Sequence, residues 1–177
     1  LGEAATWQPE IVEMSAHYQA IESASAGIHW TFSPMVDIAR DPRWGRIMEG
    51  AGEDPYLGSL MAAAHVRGYQ GDLSDLNIIA CVKHYAGYGG AEGGRDYNTV
   101  DMSERTFRDI YLPPYKAGVE AGAHTLMASF NELGGIPASG SKYLLNDILR
   151  EEWGFKGFVV SDGNSSGEMI NHGYASD

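Results

Sequence analysis

Four short apolar runs, His29–Val36, Ile78–Lys83, His124–Phe130 and Gly157–Ser161, limit what this chain can fold into more than any other feature. Each is continuously apolar or nearly so and carries β-branched or aromatic residues. That is the pattern of a strand covered on both faces in a parallel sheet. Starts at positions 29, 78, 124 and 157 leave about 49, 46 and 33 residues per unit, room for a crossover helix and extra loop. Helical patterns fill those intervals. Pro9–Ser23 sets Ile11, Met14, Tyr18 and Ile21 on one stripe, and Asp54 precedes Pro55 as an N-cap with proline at the first helical position. Leu57, Leu60, Met61 and Ala64 continue that second helix at helical spacing. Asp101-x-x-Glu104 has the form of a capping box, with Asp in place of Ser or Thr, opening a helix that Pro113-Pro114 breaks. Ser141 caps a last helix, with Leu144, Leu145, Ile148 and Leu149 inward and Gly154 at its end. The predicted fold class is α/β with a parallel sheet.

Composition excludes more than it assigns. The 177 residues suffice for one globular domain with its own core. With 24 Asp+Glu against 12 Lys+Arg the net charge is -12, which argues against a nucleic-acid partner, whose phosphates need Lys and Arg. Apolar stretches such as Leu60–Ala64 and Ile78–Val82 are too short to cross a bilayer, so no membrane role is expected. No basic segment leads into an apolar signal core within the chain. The single cysteine, Cys81, rules out an internal disulfide framework and a multi-cysteine metal cluster. None of the six histidines pairs with another His or Cys at ligand spacing, so no metal is expected. The run Gly87–Gly94 lacks the Lys-Ser/Thr of a phosphate loop, and there is no G-x-S-x-G nucleophile elbow. Flanked at once by charged and aromatic residues, Gly87–Gly94 reads as an active-site loop.

The unusual polar residues share one location. Asp37 follows the first run, Lys83-His84 end the second, Asn131 follows the third and Asp162 ends the fourth. In α/β sheets and barrels the carboxyl ends of the strands hold the ligand, because the βα loops converge there. One such residue can simply mark where a strand stops; four in register favour a site. Asp162 is open to four roles: nucleophile, general base, metal ligand or helix N-cap, although Asn164, Ser165 and Ser166 are available as caps. Neighbouring strand residues point to opposite faces, so Lys83 and His84 reach one site only if the strand ends or bulges there. Lys83 alone would also suit a Schiff base. In Asp41-Pro42-Arg43-Trp44-Gly45-Arg46, two guanidiniums flank an indole, suited to vicinal oxygens. Ion pairs with Asp37, Asp41 or Glu49 are the structural alternative.

Read together, these segments resemble glycoside hydrolase family 3, the family of many β-glucosidases. The resemblance rests on Phe32-Ser33-Pro34, Asp37, Arg40 through Arg46, Glu53-Asp54-Pro55-Tyr56, Lys83 through Gly89, Glu92 through Thr99, and Trp153 through Asp162. These motifs stand in family order over nearly the whole chain. The resemblance implies a (β/α)8-type TIM barrel, with residues 1–177 a single incomplete barrel domain of a longer enzyme. It also implies retaining hydrolysis of terminal β-linked glucose or a related sugar from a glycoside substrate. Carried over by position, Asp162 matches the nucleophile, and Arg46, Lys83 and His84 match residues that hydrogen-bond the sugar. No cofactor is implied, and a periplasmic or secreted location is.

Two departures accompany the match. Where the family usually carries a bulky aromatic or a His after the nucleophile, this chain has Gly163. The family's early sugar-binding Asp lies upstream of Leu1, and its acid/base Glu belongs to a later domain. No glutamate here matches that Glu, and the short His-Asp loop of the family's N-acetylglucosaminidases is not evident. The missing domains of the same chain are therefore expected partners, and the 177 residues alone are expected to show negligible glucosidase activity. A carbohydrate-binding relic without chemistry is the alternative that Gly163 and the missing acid support. A barrel lyase using Lys83 is the third.

Overall fold

The structure is a computed structural model that describes residues 1–177. Helix α1 spans Pro9–Ser25 and α2 spans Pro55–Gln70. Strand β1 is Cys81–Tyr85, and α3 (Glu104–Thr106) widens through Phe107–Tyr111 before α4, Pro113–Glu120. Strand β2 is Thr125–Ala128; β3 (Glu132–Leu133) and β4 (Ile136–Pro137) form a small hairpin. A wide helix with i→i+5 hydrogen bonds follows at Tyr143–Glu152, then β5, Phe158–Ser161, and α5, Ser165–Asn171. Strands β1, β2 and β5 lie in that order, all parallel, with Leu126 opposite both Val82 and Val159. This is the α/β parallel-sheet architecture expected from the four apolar runs.

The first run pairs as predicted but is not a continuous strand. Trp30 bridges Ile79 and Met35 bridges Lys83, both parallel, on the far side of β1 from β2. Pro34 has no N–H to give to the ladder, so the pairing is broken in its middle. Strands β1 and β2 are buried along almost their whole length, whereas β5 at the sheet edge is half-exposed. One core unites the sheet with its helices: Val82 and Leu126 meet Val66, Tyr111, Tyr115, Leu144 and Ile148, all buried.

Helix ends follow local chemistry. Asp54 Oδ1 accepts the Leu57 N–H at 2.8 Å, and Ser141 Oγ accepts the Leu144 N–H at 3.2 Å, each satisfying an otherwise orphaned donor. Gly154 follows the Tyr143–Glu152 helix at φ 69°, the left-handed stop predicted for it. Three expectations are corrected. The cap of α3 is Ser103, which accepts the Thr106 N–H, and not Asp101. Pro113-Pro114 does not end the helical path: Leu112 keeps right-handed helical angles and the prolines open α4, because the first turn needs no proline N–H. The stripe of α1 is reversed. Ile11, Met14 and Tyr18 are exposed, and Val12, Ala16 and Ala20 are buried. Small residues won because α1 and α2 approach closely: a Cβ on Gly68 would lie 2.3 Å from the Glu13 carbonyl oxygen and 2.6 Å from Ala16 Cβ.

No helix is long and apolar enough to cross a membrane.

Candidate active site

Strand β1 keeps register with β2 as far as Lys83 opposite Met127, then slips, so that Tyr85 pairs with Ala128. His84 is the extra residue of that bulge, and a bulge re-aims a side chain at a strand end. The turn beyond it depends on glycine. A Cβ on Gly89 would fall 2.1 Å from the Ile38 carbonyl oxygen, so no side chain fits where this loop crosses the chain after Asp37.

The bulge brings His84 between two carboxylates. Its Nδ1 lies 2.8 Å from Asp37 Oδ2, the oxygen that also accepts the His84 backbone N–H at 3.0 Å. Its Nε2 lies 3.5 Å from Asp162 Oδ2. Tyr115 on α4 donates its hydroxyl to Asp37 Oδ1 at 2.5 Å. Asp37 and His84 are buried, while the Asp162 side chain keeps 19% of its surface exposed and has no hydrogen bond from a side chain of its own chain. Asp162 is not a cap either. Helix α5 starts after Asn164 with no side-chain hydrogen bond, and only the Asp162 carbonyl is used, accepting the Ser165 N–H at 2.8 Å.

Arg46 sits in the same neighbourhood. Its Nε and Nη2 donate to the two Glu49 oxygens at 2.6 and 2.9 Å, and its guanidinium lies 5.6 Å from the centre of the Tyr88 ring. That ring stands edge-on to His84 at 5.1 Å. Tyr88 is fixed in turn by Asp96, whose Oδ1 accepts the Tyr88 hydroxyl at 2.5 Å and the Trp44 indole N–H at 2.9 Å. Arg46 holds the Glu49 carboxyl below the usual carboxylate range against the opposing effect of burial, and the charge of Lys83 adds to the lowering. Lys83 is half-buried, and no carboxylate lies within ion-pair distance of it. Burial pushes the Cys81 thiol up to about 11, which removes it as a nucleophile at neutral pH.

Of the residues singled out from sequence, Asp162, His84 and Asp37 are in one contact chain, and Arg46 joins them through Tyr88. Both arginines also serve ion pairs: Arg43, largely exposed, holds Asp41 at 2.6 Å and keeps that carboxyl down at about 2. Neither arginine pairs with Asp37, which takes His84 and Tyr115 instead. Asn131 is buried after β2, its amide donating to Glu132 O at 3.1 Å and its Oδ1 without a partner. Tyr115 was not legible as a site residue, since it reads as one more apolar ring on a helix. Asp96 lies inside a quoted motif, but nothing in its spacing announces Tyr88 and Trp44 as its donors. A cavity of about 740 Å³ is lined by Tyr97, Phe130, Asn131, Glu132, Ser165 and Tyr174 among others. A side chain at Gly163 would meet Phe130 at 3.1 Å.

A parallel sheet with packed helices and polar groups gathered at the carboxyl ends of its strands is the α/β architecture of open sheets and barrels alike, and the structural match given below makes it part of a (β/α)8-type barrel. The model of the glycosyl hydrolase family 3 N terminal domain matches residues 1–177, and the chain belongs to that family. Among curated relatives, a periplasmic beta-glucosidase of Salmonella typhimurium is 46% identical over 179 residues, covering 100% of this chain and 23% of that protein. A beta-xylosidase of Formosa agariphila is 41% identical over 94% of this chain and 24% of its own length. The crystal structure of a beta-glucosidase from Listeria innocua superposes with a TM-score of 0.95 at 47% identity, over 98% of this chain and 25% of that one. The Listeria protein has also been crystallised, as a mutant, with laminaribiose and, separately, with glucose. The chain thus spans about a quarter of the length of these relatives.

Proposed function

We propose that this chain supplies the glycone pocket and nucleophile of a retaining β-glycosidase that releases terminal β-linked glucose, or a related sugar such as xylose. One observation carries the reading. The Asp162 carboxylate lies at a strand mouth with no side-chain donor committed to it, 3.5 Å from the His84 imidazole. A carboxylate poised in that way is free to attack. In the first step Asp162 forms a bond to the anomeric carbon as the bond to the leaving oxygen breaks, and a general acid protonates that oxygen. In the second, water attacks the glycosyl-enzyme and gives its proton back to the same group, and the Asp162–sugar bond breaks with retained configuration. Arg46, Lys83 and His84 hold the sugar hydroxyls, Lys and Arg offering donors without a competing acceptor.

The acid/base lies outside the matched residues, so the 177 residues alone turn over negligibly and the other domains of the protein complete the reaction. Neither step calls for a cofactor. The substrate class follows the β-glucosidase and β-xylosidase relatives, and the periplasmic name of the Salmonella relative supports a periplasmic or secreted location. Gly163 leaves the leaving group room on a side of the site that a bulky residue would wall off. The test follows the first-formed sugar anomer by proton NMR as the full-length protein cleaves an aryl β-glucoside. The β-anomer appearing first is expected; the α-anomer first, or sugar binding without any cleavage, would overturn the reading.

A further inference from the structure

His84 rests on a buried relay that the reaction itself does not require. A carboxylate removed from water must be supplied with donors. Asp37, with no Lys or Arg within ion-pair distance, has three: the His84 backbone N–H at 3.0 Å, His84 Nδ1 at 2.8 Å and the Tyr115 hydroxyl at 2.5 Å. A carboxylate has no proton to give, so Nδ1 is the donating nitrogen. That leaves Nε2 as the nitrogen facing Asp162. The Tyr115 hydroxyl also lies 2.6 Å from the His84 carbonyl oxygen, so one phenol touches both the group that orients the ring and the backbone that carries it. The charged oxygen is the stronger acceptor of its single proton. Burial, and the negative charge of Asp37, push the Tyr115 phenol far above its ordinary pKa, which keeps that proton in place. The four segments involved come from distant parts of the chain: the turn after residues 29–36, the β1 bulge, α4 and the end of β5.

The geometry points to Asp37 and Tyr115 as a positioning pair that fixes His84 in its Nδ1–H form, with Nε2 turned toward the sugar beside Asp162. This rests on the glycosidase reading above for its purpose, and on the contacts alone for its existence. Neither residue touches substrate. They act by removing the alternative Nε2–H tautomer and the ring rotations that an unbraced imidazole would sample, so that a sugar hydroxyl meets an oriented partner.

The test uses the full-length protein with histidine labelled in its ring nitrogens. Long-range proton–nitrogen spectra tell the two nitrogens apart, and His84 is expected to carry its proton on Nδ1. Tyr115→Phe keeps the ring and removes only the hydroxyl; kcat/KM on an aryl β-glucoside is expected to fall roughly 10-fold. In Asp37→Asn the amide oxygen can still accept both His84 donors, so the Nδ1–H pattern survives. Asp37→Leu offers no acceptor, so the Nε2–H form should appear and activity should fall at least another roughly 10-fold below Asp37→Asn. A bare Nδ1 in the unsubstituted protein, an unchanged spectrum in Asp37→Leu, or Tyr115→Phe activity within twofold would overturn the proposal. Should Asp37→Leu fail to fold, the unsubstituted spectrum and the Tyr115→Phe rate still decide it. An unsubstituted protein that cleaves no β-glycoside defeats the glycosidase reading instead, and the spectra decide the relay independently.

Discussion

Asp37 and Asp162 both follow parallel extended segments and both approach the same imidazole, Asp37 at 2.8 Å and Asp162 at 3.5 Å. Their surroundings differ in every other respect. Asp37 is buried and receives three hydrogen bonds from its own chain. Asp162 is one-fifth exposed on the open β5 edge and receives none from a side chain. A carboxylate whose lone pairs are satisfied by the protein is a brace. One whose lone pairs are left to water or ligand can attack. Residue type and position at a strand end do not separate the two roles; the donors around them do.

The contrast can be broken most forcefully at Asp162. Asp162→Asn should lower kcat of the full-length protein on the order of 10⁴-fold and leave the urea midpoint almost unchanged, since it breaks no internal hydrogen bond of the side chain. Asp37→Ala should differ in kind, costing stability in addition to the activity that an unbraced His84 loses. It leaves the buried His84 backbone N–H and Nδ1–H without an acceptor, which is expected to destabilise the fold by about 1–3 kcal/mol for each donor, read as a lower urea midpoint. An equal stability loss from both substitutions would erase the distinction. Two glycines sharpen it at smaller scale. Gly89→Ala drives a Cβ into the Ile38 carbonyl at 2.1 Å and should cost about 3 kcal/mol through overpacking of backbone. Gly163→Ala meets only the far end of the Phe130 ring at 3.1 Å, at φ 40°, for roughly 1 kcal/mol; thermal melts of the two variants check the order.

The smallest effect belongs to Glu49. Its folded pKa is depressed below 4.5 by the Arg46 hydrogen bond. The stability it contributes is therefore present above the unfolded value and lost as pH falls through the folded one. With the side chain 38% exposed, solvent screening holds this under about 1 kcal/mol. Urea midpoints of Glu49→Gln and the unsubstituted protein should converge as pH falls below 4.5.

The sheet was readable because β1 and β2 are buried on both faces, and β5, though half-exposed at the edge, keeps the same simple apolar signature. Asp54 and Ser141 were readable because an N-cap is a local contact within three residues. Helix α1 was misjudged because apolar size and burial part company where two helices touch through Ala and Gly. Ser103, and not Asp101, caps α3, because two capping residues within three positions look alike until the chain direction is known. The site divided along the same line. His84, Asp162 and Arg46 carry motif and position. The donors that define Asp37 as a brace come from His84 and from Tyr115 on α4, 47 and 78 residues away in sequence, and no local pattern reports contacts of that separation. The β3–β4 hairpin, turned by Gly134-Gly135 at φ 58° and 83°, is absent from the expected elements because its strands are two residues each, too short to carry an alternating pattern.

Trapping the reaction midway gives the most direct check on which carboxylate attacks. Treating the full-length protein with a 2-deoxy-2-fluoro glucoside bearing a good leaving group, then mapping peptides by mass spectrometry, should find the fluorosugar ester on Asp162 and no label on Asp37. A label on any other side chain, or steady turnover of the unfluorinated glycoside by a protein lacking the Asp162 carboxylate, would contradict the assignment.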